Sequence, residues 1–487
     1  ALVSFERAFQ LQPDDPDLLF NLGLTAWNTA NLAGAEAMFR HYIEARPGRP
    51  EGYNNLARVI RDRGDTERAI ETVRLAIYRM PNEAVLWNAL GTLLSEAGRA
   101  EESLVFLQEA LRLNPAFARG WHNLGYSYMH LGRLKESRDA FDRALALVAN
   151  YHERLESRYA RGICLMGLGE LEEGFREYES RHAHEFRTYT LHYLRAPQWR
   201  GEPLLGKRIL IAGEQGLGDE FMFANTIADF IRATGPEGKV QIAVDRRAVG
   251  LFARSFPEAE TGPYERAKKD GIDIRLYPFA LKDGDPDYYV PMASALLYLR
   301  KSVADFPRNA YLKADPERTR RFRAELESFG TGFYTGICWR SMMLSNQRSK
   351  YYSAIEAWKP LFDVPGVRFV NLQYGKVAEE IAAAESALGV KIHSFAGLDL
   401  KDDLAGAAAA TEACDLVISA PTAVAALSGA IGKETWFITA GRAWPQLGTD
   451  HYPWYRSSRV FACERFADWQ KLMPRLADSL AQFANSR

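Results

Sequence analysis

Residues 81–115 read PNEAVLWNALGTLLSEAGRAEESLVFLQEALRLNP. Apolar residues recur at helical spacing on both sides of Ala97-Gly98, so the stretch reads as two helices joined by a tight turn. Outward from it, Pro13, Pro47, Pro81 and Pro115 stand 34 residues apart, the period of a helical-hairpin array. Gly23, Ala57, Gly91 and Gly125 share one repeat position, where a small residue lets two helices approach. Leu19, Tyr53, Trp87 and Trp121 lie four residues earlier as large packing residues. In the second helix, Ala35, Ala69, Ser103 and Ser137 hold the small position, with Phe39, Val73, Leu107 and Phe141 one turn later on the same face. Four full repeats run from Pro16 to about Tyr151, and a partial one precedes them. A fifth, shifted by three residues, spans Tyr159 to Arg181 with Gly162, Leu165, Gly169, Gly174 and Tyr178 in similar roles.

These positions resemble tetratricopeptide (TPR) repeats over roughly the first 180 residues. Such hairpins stack into an α-solenoid with a concave inner surface. One position facing that surface holds Asn21, Asn55, Ala89 and Asn123. Asparagine is common there in TPRs, which is one account of it. The other is a ladder gripping an extended peptide, because each amide offers two donors and an acceptor to main chain of any sequence. The pattern resembles the asparagine ladder of O-GlcNAc transferases, interrupted by Ala89.

At 487 residues the chain is long enough for two to four domains. Its 61 basic and 62 acidic side chains leave a net charge of −1, which supplies no global field for nucleic acid or an anionic membrane. Cys164, Cys338, Cys414 and Cys463 lack metal-ligand or redox-pair spacing and read as lone thiols of a reducing compartment, the cytoplasm. No apolar run approaches a membrane span. The chain opens at Ala1, without Met, inside a helix pattern from Ser4 to Leu11, so its native start is expected upstream.

From Gly206 onward strand and helix patterns alternate. Arg208 to Ala212 and Lys239 to Val244 are strand candidates, each followed by a helical stretch. Glu258 to Asp287 reads as a looser, turn-rich segment in which Asp283, Asp285 and Asp287 are turn residues rather than a metal motif. A second series places strands near Tyr334 to Trp339, Arg368 to Gln373, Val390 to Ser394, Leu416 to Ser419 and Thr435 to Ile438. Two βαβ series imply two Rossmann-like lobes with a cleft at the carboxyl ends of their strands. Trp469 to Phe483 reads as a terminal helix returning to the first lobe.

The segment with most chemistry is Gly213-Glu-Gln-Gly-Leu-Gly-Asp219, between a strand and a helix. Glycines at Gly216 and Gly218 let backbone amides approach a ligand at a helix start. Asp219 there is either a general base for an acceptor hydroxyl or a helix cap. Arg340, Arg348 and Lys350 form a basic cluster able to hold phosphate or carboxylate, or a solvated loop.

GEQGLGDEFMFA resembles the turn of bacterial TPR proteins with a heptosyltransferase-like, GT-B type glycosyltransferase region. Trp199-Arg-Gly-Glu202, Gly336-Ile-Cys-Trp-Arg340, Asn371-Leu-Gln-Tyr374, Asp415-Leu-Val-Ile-Ser419, Thr422-Ala-Val424, Gly429-Ala-Ile-Gly432 and Pro453-Trp-Tyr455 extend the match over 198–470. The resemblance implies an α plus α/β multidomain chain: a TPR solenoid over 1–183, a GT-B acceptor lobe over 184–315 and a nucleotide-sugar lobe over 316–487. It makes Asp219 the base, and Gly216, Gly218, Trp339, Arg340, Gln373, Tyr374, Thr422 and Ala423 donor-binding residues. Asn21, Asn55 and Asn123 become the acceptor groove.

The implied activity is metal-independent, inverting transfer from a nucleotide-sugar, with no further cofactor, to a polypeptide hydroxyl. Flagellin is the acceptor the analogy puts forward. Where the family commonly has Asp-Thr-Ala-Val-Ala-His, this chain has Pro421-Thr-Ala-Val-Ala-Ala426. A donor with one phosphate, such as a CMP-linked nonulosonic acid, tolerates that change; so does a non-catalytic TPR adaptor with a degenerate transferase domain.

Overall fold

The computed structural model describes residues 15–186, 188–342 and 349–487. The chain forms two compact units, residues 1–157 and 158–487. The expected helix over Ser4 to Leu11 and the basic residue Arg348 lie outside the described residues.

In the first unit, four helix pairs follow the 34-residue period: Pro16–Asn28 with Leu32–Ala45, Pro50–Asp62 with Thr66–Arg79, Ala84–Glu96 with Ala100–Leu113, and Ala118–His130 with Leu134–Leu147. The turns repeat too, with Gly64, Gly98 and Gly132 at φ 93°, 81° and 70°. Ala30 takes the same left-handed conformation at φ 60°, where a Cβ is strained. The small positions face the partners their spacing indicates. A Cβ on Gly23 or Gly125 would lie 2.8 Å from the ring of Phe39 or Phe141, and one on Gly91 would lie 2.6 Å from Leu107. The aromatic position also has a polar duty. Trp87 and Trp121 donate their indole N–H to the carbonyls of Pro81 and Pro115 at 2.7 and 2.9 Å, tying each helix to the loop before it.

In the second unit, two parallel sheets form two lobes. The first lobe orders its strands Glu260–Pro263, Lys239–Val244, Arg208–Ala212, Tyr288–Pro291. The second orders six strands Ile392–His393, Val367–Asn371, Phe333–Cys338, Leu416–Ser419, Thr435–Thr439, Ser458–Ala462, again all parallel. Counted along the chain, the second order is 3-2-1-4-5-6, doubly wound about a switch between Phe333–Cys338 and Leu416–Ser419. The first lobe repeats the 3-2-1-4 part of it. Helices cover both faces of the second sheet. Ile337, Ile418 and Trp436 pack on one side and Tyr334, Val370 and Val417 on the other, as a buried parallel sheet requires.

Three expectations need correction. The terminal helix Trp469–Asn485 does not return to the first lobe; Met473, Leu476 and Leu480 pack with Trp358 and Trp436 of the second. The loose segment after Glu258 holds the strands Glu260–Pro263, Glu265–Lys269 and Ile272–Leu276, the last two in a small sheet with Thr190–His192. Glu265–Lys269 is exposed at every residue, so it carries no apolar alternation to read. The helix Leu171–Tyr178, read from the repeats as part of a fifth TPR, lies in the second unit. Its Leu171, Phe175 and Tyr178 share a core with Phe221, Phe230 and Trp454, so the division falls at Ser157/Arg158, ahead of 183/184.

Candidate functional site

The two switch points open onto one cleft of about 610 Å³. Gln215 to Asp219, Asp245, Arg247 and Arg266 line it from the first lobe; Ser341, Met342, Tyr374 and Pro421 to Val424 line it from the second. The glycine-rich turn forms its floor. Gly213 admits no side chain, because a Cβ would lie 2.8 Å from both the Ala243 carbonyl and the Glu220 carboxyl. Gly218 sits against the start of the helix Ala423–Ala430, where a Cβ would be 3.4 Å from Ala423 Cα. The turn of one lobe thus meets the helix start of the other.

Asp219 lines the cleft, and its carboxylate accepts the Gly216 N–H at 3.1 Å. The helix-cap reading of this residue is thus present, and the same carboxylate is placed at the cleft. Its neighbour Glu220 faces the interior. Glu220 is wholly buried, pairs with the Tyr264 hydroxyl at 2.9 Å and accepts the Asp245 N–H at 3.0 Å. Burial pushes its carboxyl up to about 7, against the pull of that amide and of Arg275. Arg266 donates to the same Tyr264 hydroxyl at 2.7 Å, so a hydrogen-bonded chain runs from Glu220 to the cleft wall.

Behind the turn, Glu214 is buried and held bidentately by Arg181, with N–O distances of 3.1 and 3.0 Å, and by the Ala293 N–H at 2.8 Å. Burial alone would raise this carboxyl, but the Arg181 guanidinium dominates and holds it down at about 2. Arg275 donates to the carbonyls of Gly213 and Gln215, fixing the turn from its other side.

In the second lobe the expected donor residues divide. Tyr374, Thr422 and Ala423 line the cleft. Trp339 and Gln373 are buried instead: the side-chain Oε1 of Gln373 accepts the backbone N–H groups of Trp339 and Arg340 at 3.1 and 3.0 Å, closing the end of the strand Phe333–Cys338. Arg340 is committed to Glu380, which also accepts the Trp339 indole N–H at 2.6 Å. Lys350 lies over the ring of Tyr351 at 5.5 Å. Pro421 and Ala426, the departures from the family pattern, both line the cleft and bring no charge to the helix start.

On the array, adjacent first helices are cross-linked by side chains 35 residues apart: Trp27 to Asp62, Arg61 to Glu96 and Ser95 to His130, and His122 likewise meets Ser157 on the helix Tyr151–Leu168 that follows. Asn123 belongs to this ladder, donating to Asn88 at 2.9 Å and to Thr92 at 3.0 Å. Asn21 is exposed and donates to the Asp17 carbonyl of its own helix at 2.9 Å. Asn55 is buried, with about 8% of its surface exposed. Two of the three amides therefore hold partners within the array.

Tetratricopeptide repeat family models match residues 1–50, 84–117 and 118–151. Protein FlbA of Caulobacter vibrioides is 38% identical over 487 residues, spanning 100% of this chain and 82% of FlbA. The chain belongs to the FlbA family. Similar solved structures include a thermophilic TPR protein of Thermus thermophilus, with 23% identity, 34% of this chain and 88% of that one covered, and a TM-score of 0.30. YrrB, a TPR protein with an unusual peptide-binding site, gives 18% identity, 37% and 91% coverage and a TM-score of 0.27. Since the FlbA match runs through the lobes as well as the repeats, family membership covers both units.

In this FlbA-family chain, sequence reasoning gave no role at the site to Tyr178, Arg181, Glu214, Glu220 or Arg275. Glu214 and Glu220 stand at either end of the glycine turn, and two acids bracketing a glycine-rich turn between a strand and a helix were a usable signal. Arg181 and Arg275 gave none, because their partners lie 33 and 62 residues away.

Proposed function

We propose that the chain is a GT-B type sugar transferase that moves a sugar from a nucleotide-sugar to a hydroxyl of a polypeptide presented by the TPR array, with flagellin as the acceptor to test. The observation that carries this reading is the meeting of two switch points in one cleft, with the glycine turn of one lobe against the helix start Thr422-Ala423 of the other. In the reaction, the acceptor oxygen bonds to the anomeric carbon as the carbon–oxygen bond to the nucleotide phosphate breaks. The hydroxyl proton passes to the Asp219 carboxylate, and the nucleotide leaves with the bonding pair. Amides of the helix Ala423–Ala430 suit the leaving phosphate without a metal. Because Pro421 and Ala426 stand where the resembled family commonly has an acid and an imidazole, a donor with a single phosphate, such as a CMP-sugar, is the one favoured. Calorimetry with CMP, UDP and ADP tests the donor: UDP or ADP binding about tenfold tighter than CMP, a difference of roughly 1.4 kcal/mol, refutes it.

The second reading is a non-catalytic adaptor. It is favoured by the commitment of Asp219 to the Gly216 N–H and of Arg340 to Glu380. Absence of binding by every nucleotide tried, with acceptor capture retained, would select it.

A further inference from the structure

Gln215 is the residue of the glycine turn that local physics least expects. Its φ is 61°, a conformation that glycine adopts without strain and a glutamine side chain does not. Such strain persists where the surroundings over-determine it. Here the Gln215 side-chain amide donates to the Tyr178 hydroxyl, and Arg275 holds the carbonyls on either side of Glu214.

Tyr178 is itself fixed. It ends the helix Leu171–Tyr178, stacks on Tyr159 at 5.2 Å between ring centroids and carries the Arg181 guanidinium over its face at 4.3 Å. Arg181, only 6% exposed, spends its remaining donors on Glu214, Ser294, Glu179 and the Tyr178 carbonyl. Two successive turn residues, Glu214 and Gln215, are thus gripped by two residues of one helix end. Gln215 and Gly216 line the cleft, and neither Tyr178 nor Arg181 is among its lining residues.

We infer that the helix end at residues 178–181 is a positioning device for the cleft: it holds the turn of residues 213–219 in the strained form that presents its amides to a ligand. The ligand part of this inference rests on the nucleotide-site reading above. Tyr178 and Arg181 touch no ligand and act through Gln215 and Glu214.

Two substitutions in the full chain remove the tether from opposite sides. Gln215→Asn keeps a residue that tolerates left-handed backbone but shortens the reach to Tyr178. Tyr178→Phe keeps the ring stacking and removes the hydroxyl. Hydrogen exchange of the turn is expected to quicken in each, with an unchanged melting temperature. The double variant should add nothing to either single one, as a shared contact requires. Affinity for CMP or UDP should fall about fivefold, the net worth of one hydrogen bond.

Unchanged exchange in the turn of Gln215→Asn overturns the tether. Faster exchange with unchanged nucleotide affinity overturns its role for the ligand. If Tyr178→Phe lowers the melting temperature and loosens the whole unit, Gln215→Asn alone decides. A wild-type protein that binds none of CMP, UDP and ADP refutes the transferase reading, and the exchange measurement still decides whether the turn is held as inferred.

Discussion

Asp219 and Glu220 are adjacent acids with opposite surroundings, and each makes its own prediction. Asp219 lies at the cleft with its carboxylate on the Gly216 N–H. Asp219→Asn keeps an acceptor oxygen for that amide and loses basicity. Turnover is expected to fall about a hundredfold or more, the usual worth of a general base, with little change in melting temperature. A stability loss with full activity would leave Asp219 as a cap alone. Glu220 titrates from inside, facing Tyr264, Arg275 and Asp245. Its folded-state value of about 7 lies above the ordinary 4.5, so the native protein keeps a proton that the unfolded chain releases. Its contribution is complete below about 4.5 and is lost as pH rises through 7, a span worth roughly 3 kcal/mol. Glu220→Gln should therefore gain on the wild type between pH 5 and pH 8, read as the difference of their denaturation midpoints. A pH-independent difference would place the proton elsewhere.

At the level of elements, the array depends on close approach between the two helices of each pair. A Cβ on Gly125 meets the Phe141 ring at 2.8 Å, and Ser137 beside it donates to the Gly125 carbonyl at 2.8 Å. Gly125→Val would have to displace a fully buried ring and strain that bond. A loss of about 2 kcal/mol or more is expected, despite the better helix propensity of a residue with a side chain. Chemical denaturation followed by far-ultraviolet dichroism measures it. The same substitution at Gly48, where a Cβ meets nothing within 4 Å, serves as the control and should stay near wild type.

Across the whole molecule, the position of the division at Ser157/Arg158 has consequences for any fragment. A fragment of residues 158–487 keeps Leu171, Phe175, Tyr178 and Arg181; one of residues 184–487 loses them all. In the shorter fragment the buried Glu214 has lost its cation, and breaking such a pair costs about 3–5 kcal/mol beyond the lost apolar packing. Residues 158–487 are expected to be soluble with a cooperative melt, and residues 184–487 to aggregate. Equal behaviour would mean that the helix end is dispensable. The acceptor is expected to follow the other unit: residues 1–157 should retain flagellin in a pull-down and residues 158–487 should not. The reverse result would remove the array from acceptor recruitment.

Much of the architecture could be read from local pattern, because the forces that set it are local or periodic. The 34-residue spacing of Pro47, Pro81 and Pro115, with small residues at Gly91 and Gly125, specifies helix pairs that bury a face only by stacking. Buried strands such as Leu416–Ser419 announce themselves as short apolar runs between helices. Exposed or very short strands did not: Glu265–Lys269 has no buried residue, and Ser458–Ala462 carries only partly buried or exposed ones. At the site, the sequence marked the glycine turn and Asp219 because turn geometry is written in glycines. It was silent on what each polar side chain does there. Arg340 looked like a phosphate ligand until Glu380, 40 residues on, was found to hold it, and Arg181 looked like a repeat terminus until it met Glu214. A charged group's role is set by its partner and its distance from water, and both are fixed by the packing of elements far apart in the chain.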